Sequence, residues 1–159
     1  KENYLILKIN RNLKTYITKK IIISSDHAGY SLKKKLIAYF NKFNLDIVDL
    51  GPFDESSVDY PDYAKKLCKK ISSDSYGILI CGTGIGMSIM ANRYKKIRAS
   101  LVYSSNTAKL AREHNNANVL ILGSRSINKD LAIKIVNIFF KTRFLKGRHL
   151  RRVNKFKNV

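Results

Sequence analysis

The stretch Gly77-Ile78-Leu79-Ile80-Cys81-Gly82-Thr83-Gly84-Ile85-Gly86 decides how this chain folds. Its first half is a short run of apolar side chains, which is typical of a strand buried on both faces. Its second half alternates glycine with other residues, and glycine permits backbone conformations and close approaches that are closed to other residues. The stretch therefore predicts a buried strand that ends, at Cys81, in a tight turn before a helix.

The chain on either side of this stretch repeats the same order of elements. Short apolar runs alternate with longer runs whose apolar residues recur at helical spacing. Strands that alternate with helices indicate right-handed crossovers, which cover both faces of a parallel sheet with helices. We therefore predict an α/β, three-layer sandwich with a five-stranded, mainly parallel sheet. The predicted strands are residues 21–23, 45–50, 77–80, 97–102 and 119–122, and the predicted helices are 32–43, 61–71, 106–114, 131–139 and a short one in the tail 148–158.

The bulk composition fits one globular domain. The chain has 159 residues, of which 45% are hydrophobic, and this balance excludes a disordered protein. No apolar run reaches the roughly 20 residues that a membrane span requires. Cys68 and Cys81 lie in differently patterned segments, so we expect two reduced thiols and a cytoplasmic protein.

Residues 1–19 form a basic leader or appended segment ahead of a single domain at 20–159. A basic, acid-poor leader is typical of the remnant of a transit peptide, which would place the protein in an organelle. The short apolar run 4–7 is equally consistent with an appended strand. The sequence leaves both interpretations open.

The formal net charge of +20, from 31 Lys and Arg against 11 Asp and Glu, is the unusual feature of the composition. Such a charge attracts nucleic acids or anionic lipids. The lysines are nevertheless scattered over the whole chain, as a general compositional bias would place them, and no basic strand interleaved with aromatic residues is present. We therefore expect no nucleic-acid or membrane partner, whereas a phosphorylated metabolite would be attracted by the same charge.

The residues that directly follow the predicted strands are rich in reactive side chains. In a parallel sheet the active crevice lies outside the carboxyl ends of the strands. We therefore expect the functional site at this edge, which would bring together Asp26-His27, Gly51-Pro52, residues 81–86, Tyr103-Ser104 and Gly123-Ser124-Arg125.

The glycine-rich turn after Cys81 has several interpretations. Successive backbone N–H groups next to a helix N-terminus are suited to bind an anion, although a plain strand-to-helix turn would need the same glycines. A dinucleotide site would need the spacing G-x-G-x-x-G, but Gly86 comes one position early and Met87 stands in its place. The Gly-Lys-Ser/Thr ending of a nucleotide-binding P-loop is missing too.

Thiol, carboxylate and imidazole groups supply candidate chemistry. Cys81, at a strand end near a helix start, is placed where the thiolate is favoured, whereas Cys68 lies on an apolar helix face and is expected in the core. Asp26-His27 suits proton transfer or phosphate contact, or Asp26 simply caps a helix. His114 suits the same chemistry, or only a favourable contact with a helix C-terminus.

Arginine supplies the candidate phosphate ligands. Arg125, Arg148 and Arg152 each offer a planar fork that donates two hydrogen bonds at once, and the last two share a face if the tail is helical. A solvated basic tail is the alternative without function. The three histidines have no spacing typical of a zinc site, so we expect no metal.

Five segments, in this order and with similar spacing, resemble the type B ribose-5-phosphate isomerases over about residue 20 to the C-terminus. The segments are Ser25-Asp26-His27-Ala28-Gly29, Asp59-Tyr60-Pro61, Ile80-Cys81-Gly82-Thr83-Gly84-Ile85-Gly86, Ala111-Arg112-Glu113-His114-Asn115-Asn116 and Gly147-Arg148-His149. The resemblance implies a Rossmann-like sheet and a homodimer, or a tetramer, with active sites shared between chains. It also implies interconversion of ribose 5-phosphate and ribulose 5-phosphate, in the non-oxidative branch of the pentose phosphate pathway, without a cofactor. Relatives act on allose 6-phosphate and galactose 6-phosphate, so a six-carbon substrate is the alternative.

The resemblance also implies residue roles. Cys81 looks like the base that takes the C2 proton, because the glutamate that some members use corresponds to Met87, which accepts no proton. Thr83 resembles a hydroxyl that assists proton movement between the two oxygens. The turn amides would stabilise the enediolate. Asp26 and His114 resemble ring-opening groups. The remaining expected contacts are the turn residues Gly82, Gly84, Ile85 and Gly86, the phosphate ligands His27, Arg125, Arg148 and Arg152, and the sugar-hydroxyl ligands Tyr60 and Asn115.

A rival from another class is a nucleic-acid-binding protein on a fold that has lost its enzymatic activity. Only the charge of +20 suggests it. The complete set of catalytic residue types argues against it, since nucleic-acid binding would not require them.

Overall fold

The computed structural model describes residues 13–156, and five strands form one sheet there in which every neighbouring pair is parallel. The spatial order is β2-β1-β3-β5-β4. The predicted five-stranded α/β sandwich is confirmed. The strands are β1 (Lys20–Ser25), β2 (Ile47–Asp49), β3 (Ser75–Cys81), β4 (Ala99–Leu101) and β5 (Val119–Gly123). The helices are α1 (Leu13–Tyr16), α2 (Tyr30–Asn41), α3 (Tyr60–Lys70), α4 (Ile85–Ala91), α5 (Ser105–Asn115), α6 (Lys129–Lys141) and α7 (Gly147–Lys155).

The core lies on both faces of the sheet. The central strands β1, β3 and β5 are almost wholly buried, as strands covered on both faces must be. Residues of α2, α5 and α6, such as Leu36 and Phe139, fill one face. Residues of α3 and α4, such as Leu67 and Met87, fill the other. None of the helices among residues 13–156 is long and apolar enough to cross a membrane.

The two edge strands are shorter than the sequence predicts. The apolar runs at 45–50 and 97–102 become the three-residue strands β2 and β4. Ile97 and Val102 are buried although they lie outside β4. Burial therefore explains why these two residues are apolar, and Val102 also extends the pairing with β5, because its N–H donates to the Ile121 carbonyl over 3.0 Å.

The N-terminal end of the described chain belongs to the core. Leu13 and Ile17, which the sequence analysis grouped with the leader, are 1% and 5% exposed and join the cluster that includes α6. The apolar run 4–7, which the sequence leaves open as part of a transit-peptide remnant or as an appended strand, lies outside the described residues.

The sheet reverses its strand order between β1 and β3. From β1 the chain crosses to β2 on one side, and β3 then pairs with β1 on the other side. Such a switch point opens a crevice at the carboxyl ends of the strands. The segment that follows β1 is hydrogen-bonded to the end of β3 there, because the Asp26 N–H donates to the Ile80 carbonyl over 3.0 Å. Asp26 and Cys81 therefore flank the same crevice.

Candidate active site

A cavity of about 210 Å³ opens at this switch point. Nine residues line it, and eight of them carry roles in the sequence analysis; the ninth is Ala28. They are Asp26, His27, Ala28, Tyr60, Cys81, Gly82, Thr83, Gly86 and Arg125. A larger depression, of about 550 Å³, lies along α3, but Asp, Lys and Ser residues line it together with one Val and one Tyr, and it holds no thiol and no imidazole. We therefore identify the smaller cavity as the candidate active site, because a thiol and an imidazole line it.

The thiol of Cys81 is held by the turn that follows it. The Gly84 N–H donates to Cys81 Sγ over 3.1 Å, and Cys81 is 4% exposed. Gly84 reaches this position with φ +80°, in the left-handed region that favours glycine. The connection after β5 fixes the turn from the other side, because Ser124 and Arg125 donate backbone N–H groups to the carbonyls of Cys81 and Gly82. A sulfur that carries negative charge is suited to accept such a backbone donor.

Two glycines of the turn make room for side chains of the cavity. A Cβ at Gly86 would lie 2.5–2.8 Å from the ring atoms of Tyr60, and one at Gly82 would lie 3.1–3.2 Å from the guanidinium of Arg125. Both side chains thus reach the cavity only because these positions lack a Cβ. Ile85, between the two, begins α4 and is 55% exposed.

The hydroxyl of Thr83 is exposed at the turn. Its Oγ1 accepts the Ile85 N–H over 3.3 Å. Because the oxygen is the acceptor there, its own hydrogen remains able to donate towards the cavity.

Asp26 and His27 take distinct orientations. The Oδ1 of Asp26 accepts the Gly29 N–H over 2.9 Å, close to the start of α2. The Nδ1 of His27 accepts the Val58 N–H over 3.3 Å. In the neutral imidazole the hydrogen therefore resides on Nε2.

A second set of predicted site residues lies at the opposite edge of the sheet. Because β4 and β5 are parallel, α5 starts beyond the carboxyl end of β4 and ends before the amino end of β5. Its eleven residues span about 16 Å. His114 and Asn115 stand at the far end of α5, and Arg148 and Arg152 stand on α7, which follows α6 at that end. A single chain therefore does not bring these four residues to the Cys81 cavity.

The second set is internally organised. The rings of His114 and His149 stack with centroids 4.2 Å apart and planes 8° apart, and the Leu145 N–H donates to the Glu113 carbonyl over 3.1 Å. Burial lowers the pKa of His149, and the neighbouring His114, Arg148 and Arg152 lower it further. Asn115 lines a separate depression of about 620 Å³.

The second cysteine is a core residue, as predicted. Cys68 is 0% exposed, and burial raises the pKa of its thiol to about 11. It is therefore a poor nucleophile at neutral pH. Among residues 13–156, no group of three or more His, Cys, Asp or Glu is arranged to hold a metal ion.

Three structural supports were missed by the sequence analysis. Val58 orients His27 through its backbone, which leaves no sequence signal. His149 stacks on His114, and its place in the motif Gly147-Arg148-His149 was the available signal. Lys33 is 0% exposed, and its Nζ donates to Asp49 Oδ1 and to the Pro52 carbonyl, each over 2.6 Å. It stands in a run of three lysines, so composition concealed it.

The fold and the cavity together define an α/β enzyme in which a thiol, a hydroxyl and a carboxylate meet backbone donors at a switch point. The family model described as Ribose/Galactose Isomerase matches residues 21–156, and the chain belongs to this family of isomerases. The resemblance to the type B ribose-5-phosphate isomerases is confirmed.

Individual relatives agree with this assignment. The ribose 5-phosphate isomerase B structure from Anaplasma phagocytophilum is 50% identical, with a TM-score of 0.84 over 88% of this chain and 97% of that one. The Mycoplasma genitalium enzyme, solved with bound ribulose-5-phosphate, is 44% identical, with a TM-score of 0.82 over 89% of this chain and 96% of that one. Ribose-5-phosphate isomerase B of Escherichia coli is 38% identical over 85% of this chain and 92% of its own length.

Proposed function

We propose that this enzyme interconverts ribose 5-phosphate and ribulose 5-phosphate through an enediolate, with Cys81 as the base. The observation that carries the proposal is the position of Cys81, whose sulfur accepts a backbone N–H at the wall of a cavity that also holds Thr83 and Asp26. The relatives named for this reaction, one of them with bound ribulose-5-phosphate, support the choice of substrate.

The chemistry follows from the geometry of the turn. A proton next to a carbonyl is weakly acidic, so its removal needs a base at the carbon and donors at the oxygens, where negative charge develops. Cys81 supplies the base. Thr83 lies two residues further on and supplies a hydroxyl that passes a proton between the two oxygens. The backbone N–H groups of residues 82–86 stabilise the enediolate.

The residues that line the Cys81 cavity bind and prepare the sugar phosphate. Asp26 is 7% exposed, accepts the Gly29 N–H, and acts in ring opening. Arg125 brings a permanent positive charge to the cavity, and His27 presents Nε2–H, so both suit a phosphate. Tyr60, at the start of α3, contacts a sugar hydroxyl. Phosphate binding at the far end of the substrate positions the reacting carbon against Cys81.

The remaining predicted ligands come from a second copy of the chain. His114 acts in ring opening, Asn115 contacts the sugar, and Arg148 and Arg152 bind phosphate, yet all four lie at the opposite edge of the sheet from Cys81. A homodimer with two shared active sites places the second set of one chain over the cavity of the other. Large apolar side chains beside the turn support this arrangement, since Ile85, Ile89 and Tyr103 are 55%, 64% and 62% exposed.

A working thiol base requires a compartment in which thiols stay reduced. Both cysteines are free in the structure. The proposal therefore places the enzyme in the cytoplasm, where this reaction belongs to the non-oxidative branch of the pentose phosphate pathway.

Turnover of ribose 5-phosphate by Cys81→Ala and Cys81→Ser tests the base. Both variants should keep the fold, and kcat should fall by about 10²–10⁴, the range for loss of an acid–base group. Cys68→Ala is the matched control, because Cys68 is 0% exposed and does not line the cavity, so its loss should leave kcat unchanged. Near-normal kcat in folded Cys81→Ala refutes the mechanism.

The same assay with allose 6-phosphate tests the six-carbon alternative. A higher kcat/KM for allose 6-phosphate than for ribose 5-phosphate would replace the proposed substrate without changing the base.

A mixed dimer tests the shared site. Cys81→Ala and His114→Gln chains are co-expressed with different affinity tags, and the doubly tagged species is isolated. One of its two sites then combines an intact Cys81 with an intact His114, so about half of the wild-type activity should return, although each parent homodimer is inactive. No recovery refutes the sharing.

A further inference from the structure

The guanidinium of Arg112 is buried next to the end of α5 that carries His114 and Asn115 of the second set. Arg112 stands on α5, two residues before His114, and is 6% exposed. Among residues 13–156 the ion pairs join other side chains, and no carboxylate pairs with Arg112. Burial lowers the pKa of the guanidinium, so the fold bears a cost for keeping this charge inside. Because this charge is removed from water, specific contacts inside the protein must compensate for the lost hydration.

Donors of Arg112 converge on the turn that directly follows His114 and Asn115. Its Nη1 donates to Asn116 Oδ1 over 3.0 Å and to the carbonyl of Ala117. Asn116 is the residue at which α5 ends, with φ 47° in the left-handed region. The backbone N–H of Asn116 in turn donates to the Arg112 carbonyl over 3.1 Å. The turn after α5 is thus closed around one guanidinium.

The other donors tie this turn to the rest of the domain. Nε donates to the carbonyl of Thr142 over 3.4 Å, at the residue where α6 ends and the connection to α7 begins. Nη2 donates to Tyr76 Oη over 3.1 Å, and the guanidinium lies 5.0 Å from the Tyr76 ring centroid and 5.6 Å from that of Phe139. Arg112 therefore joins the end of α5, the start of the α7 connection and β3 at one point.

We propose that Arg112 is a positioning residue for the shared site: it holds the end of α5 that carries His114 and Asn115, and the connection to α7, in the geometry that the partner chain's cavity requires. The inference rests on the proposed sharing of the site between two chains. Arg112 touches no substrate in this proposal. It acts only through the residues that its own chain presents to the other chain's Cys81.

Substitution of Arg112 is expected to impair the chemistry more than the fold. Arg112→Met keeps much of the apolar stem but removes all of the donors. Arg112→Lys keeps the charge, but one ammonium nitrogen cannot serve the four separate acceptors. Both should lower kcat/KM, the Met variant by about 100-fold, since a displacement of about 1 Å at an active site costs roughly that factor. Asn116→Gly removes the side-chain acceptor while suiting the left-handed backbone, and should cause a smaller loss.

Leu36→Ala is the control for loss of stability alone. Leu36 lies on the core-facing side of α2, is 0% exposed, and lines neither the Cys81 cavity nor the depression at Asn115. This variant should melt at a lower temperature and yet keep the kcat/KM of the wild type when folded. If Arg112→Met and Leu36→Ala lose the same stability and both keep normal kcat/KM, Arg112 is merely structural and the inference is wrong.

The deciding experiment is a mixed dimer of Cys81→Ala with Arg112→Met, isolated through two tags. Its one productive site takes Cys81 from the Arg112→Met chain and the second set from the Cys81→Ala chain, so about half of the wild-type activity should return. A general folding defect in the Arg112→Met chain would damage that chain's Cys81 cavity too, and no activity would return. Should Arg112→Met not fold, Arg112→Lys takes its place in the same mixture.

The mixed dimer of Cys81→Ala with His114→Gln distinguishes failure of the positioning role of Arg112 from failure of the shared site. Recovery there without recovery in the Arg112 mixture overturns the positioning role and leaves the shared site standing. No recovery in either mixture overturns the shared site, and the inference with it.

Discussion

Gly84→Ala tests whether the glycine-rich turn is built for the thiol. Gly84 ends the turn with φ +80°, and its N–H donates to Cys81 Sγ. A Cβ there would overlap Cδ1 of Leu101 and come within 3.3 Å of Cγ2 of Ile121. Two costs therefore arise, one from the backbone conformation and one from the packing.

The expected magnitude follows from these two costs. An L-residue in the left-handed region costs about 1–2 kcal/mol. An inserted carbon in a close-packed region costs about 1–3 kcal/mol. Urea unfolding of Gly84→Ala should therefore show a loss of about 2–5 kcal/mol in the free energy of unfolding. In the molecules that fold, displacement of the turn should lower kcat by roughly 10²-fold, because the Sγ donor moves with it.

Two further variants isolate the packing cost. Gly147 also has positive φ, +48°, but a Cβ there would meet nothing within 4 Å, so Gly147→Ala should lose only the conformational part, about 1–2 kcal/mol. Leu101→Ala should relieve the overlap, so that Gly84→Ala costs less in that background than in the wild type. The reasoning is refuted if Gly84→Ala and Gly147→Ala lose the same stability, or if Leu101→Ala brings no relief.

Three further predictions concern individual side chains. In the native protein at pH 8, iodoacetamide should modify at most one thiol, Cys81, because Cys68 has a pKa raised to about 11 and is 0% exposed. Mass spectrometry identifies the modified residue, and labelling of Cys68 before unfolding would contradict its core position. His149 has a pKa lowered in the fold, mainly by burial, so the unfolded chain binds more protons and stability should fall as pH drops below about 6.5. His149→Gln should flatten the melting temperature between pH 7 and pH 5, and an unchanged slope would assign the acid sensitivity elsewhere. Lys33→Met should cost about 3 kcal/mol in urea unfolding, because it leaves the Asp49 carboxylate without its 2.6 Å partner. The double variant Lys33→Met/Asp49→Asn should lose less free energy of unfolding than the sum of the two single variants. If the losses of the single variants simply add, the two side chains are not coupled.

The parts of this protein that depend on neighbours in sequence were predictable. The buried strand β3, the thiol at its end and the glycine turn lie within the twelve residues 75–86, and their conformations depend mainly on local side-chain size and on glycine. The alternation of strands and helices followed from periodicity for the same reason. Cys68 was separable from Cys81 because one lies on an apolar helix face and the other at a strand end.

The strand order required the tertiary structure. Asp26 and Cys81 are 55 positions apart in sequence, and they flank one crevice only because β3 pairs with β1 on the side opposite to β2. Pairing of this kind depends on long-range burial, which a local pattern does not encode. The burial of Lys33 was hidden for a similar reason, since its partner Asp49 ends β2 and its partner Pro52 lies in the loop that follows.

The division of the predicted site residues into two separate sets is visible only in the three-dimensional structure. In sequence, His114 and Arg148 resemble site residues as closely as Cys81 does. The direction of α5, which is imposed by the parallel pairing of β4 with β5, carries His114 to the far edge of the sheet. The sequence alone therefore determined which residue types serve the reaction and where the thiol and its turn lie. Only the tertiary structure decided that the thiol and the second set face opposite ways in one chain, because strand direction and helix length are set by the assembled sheet.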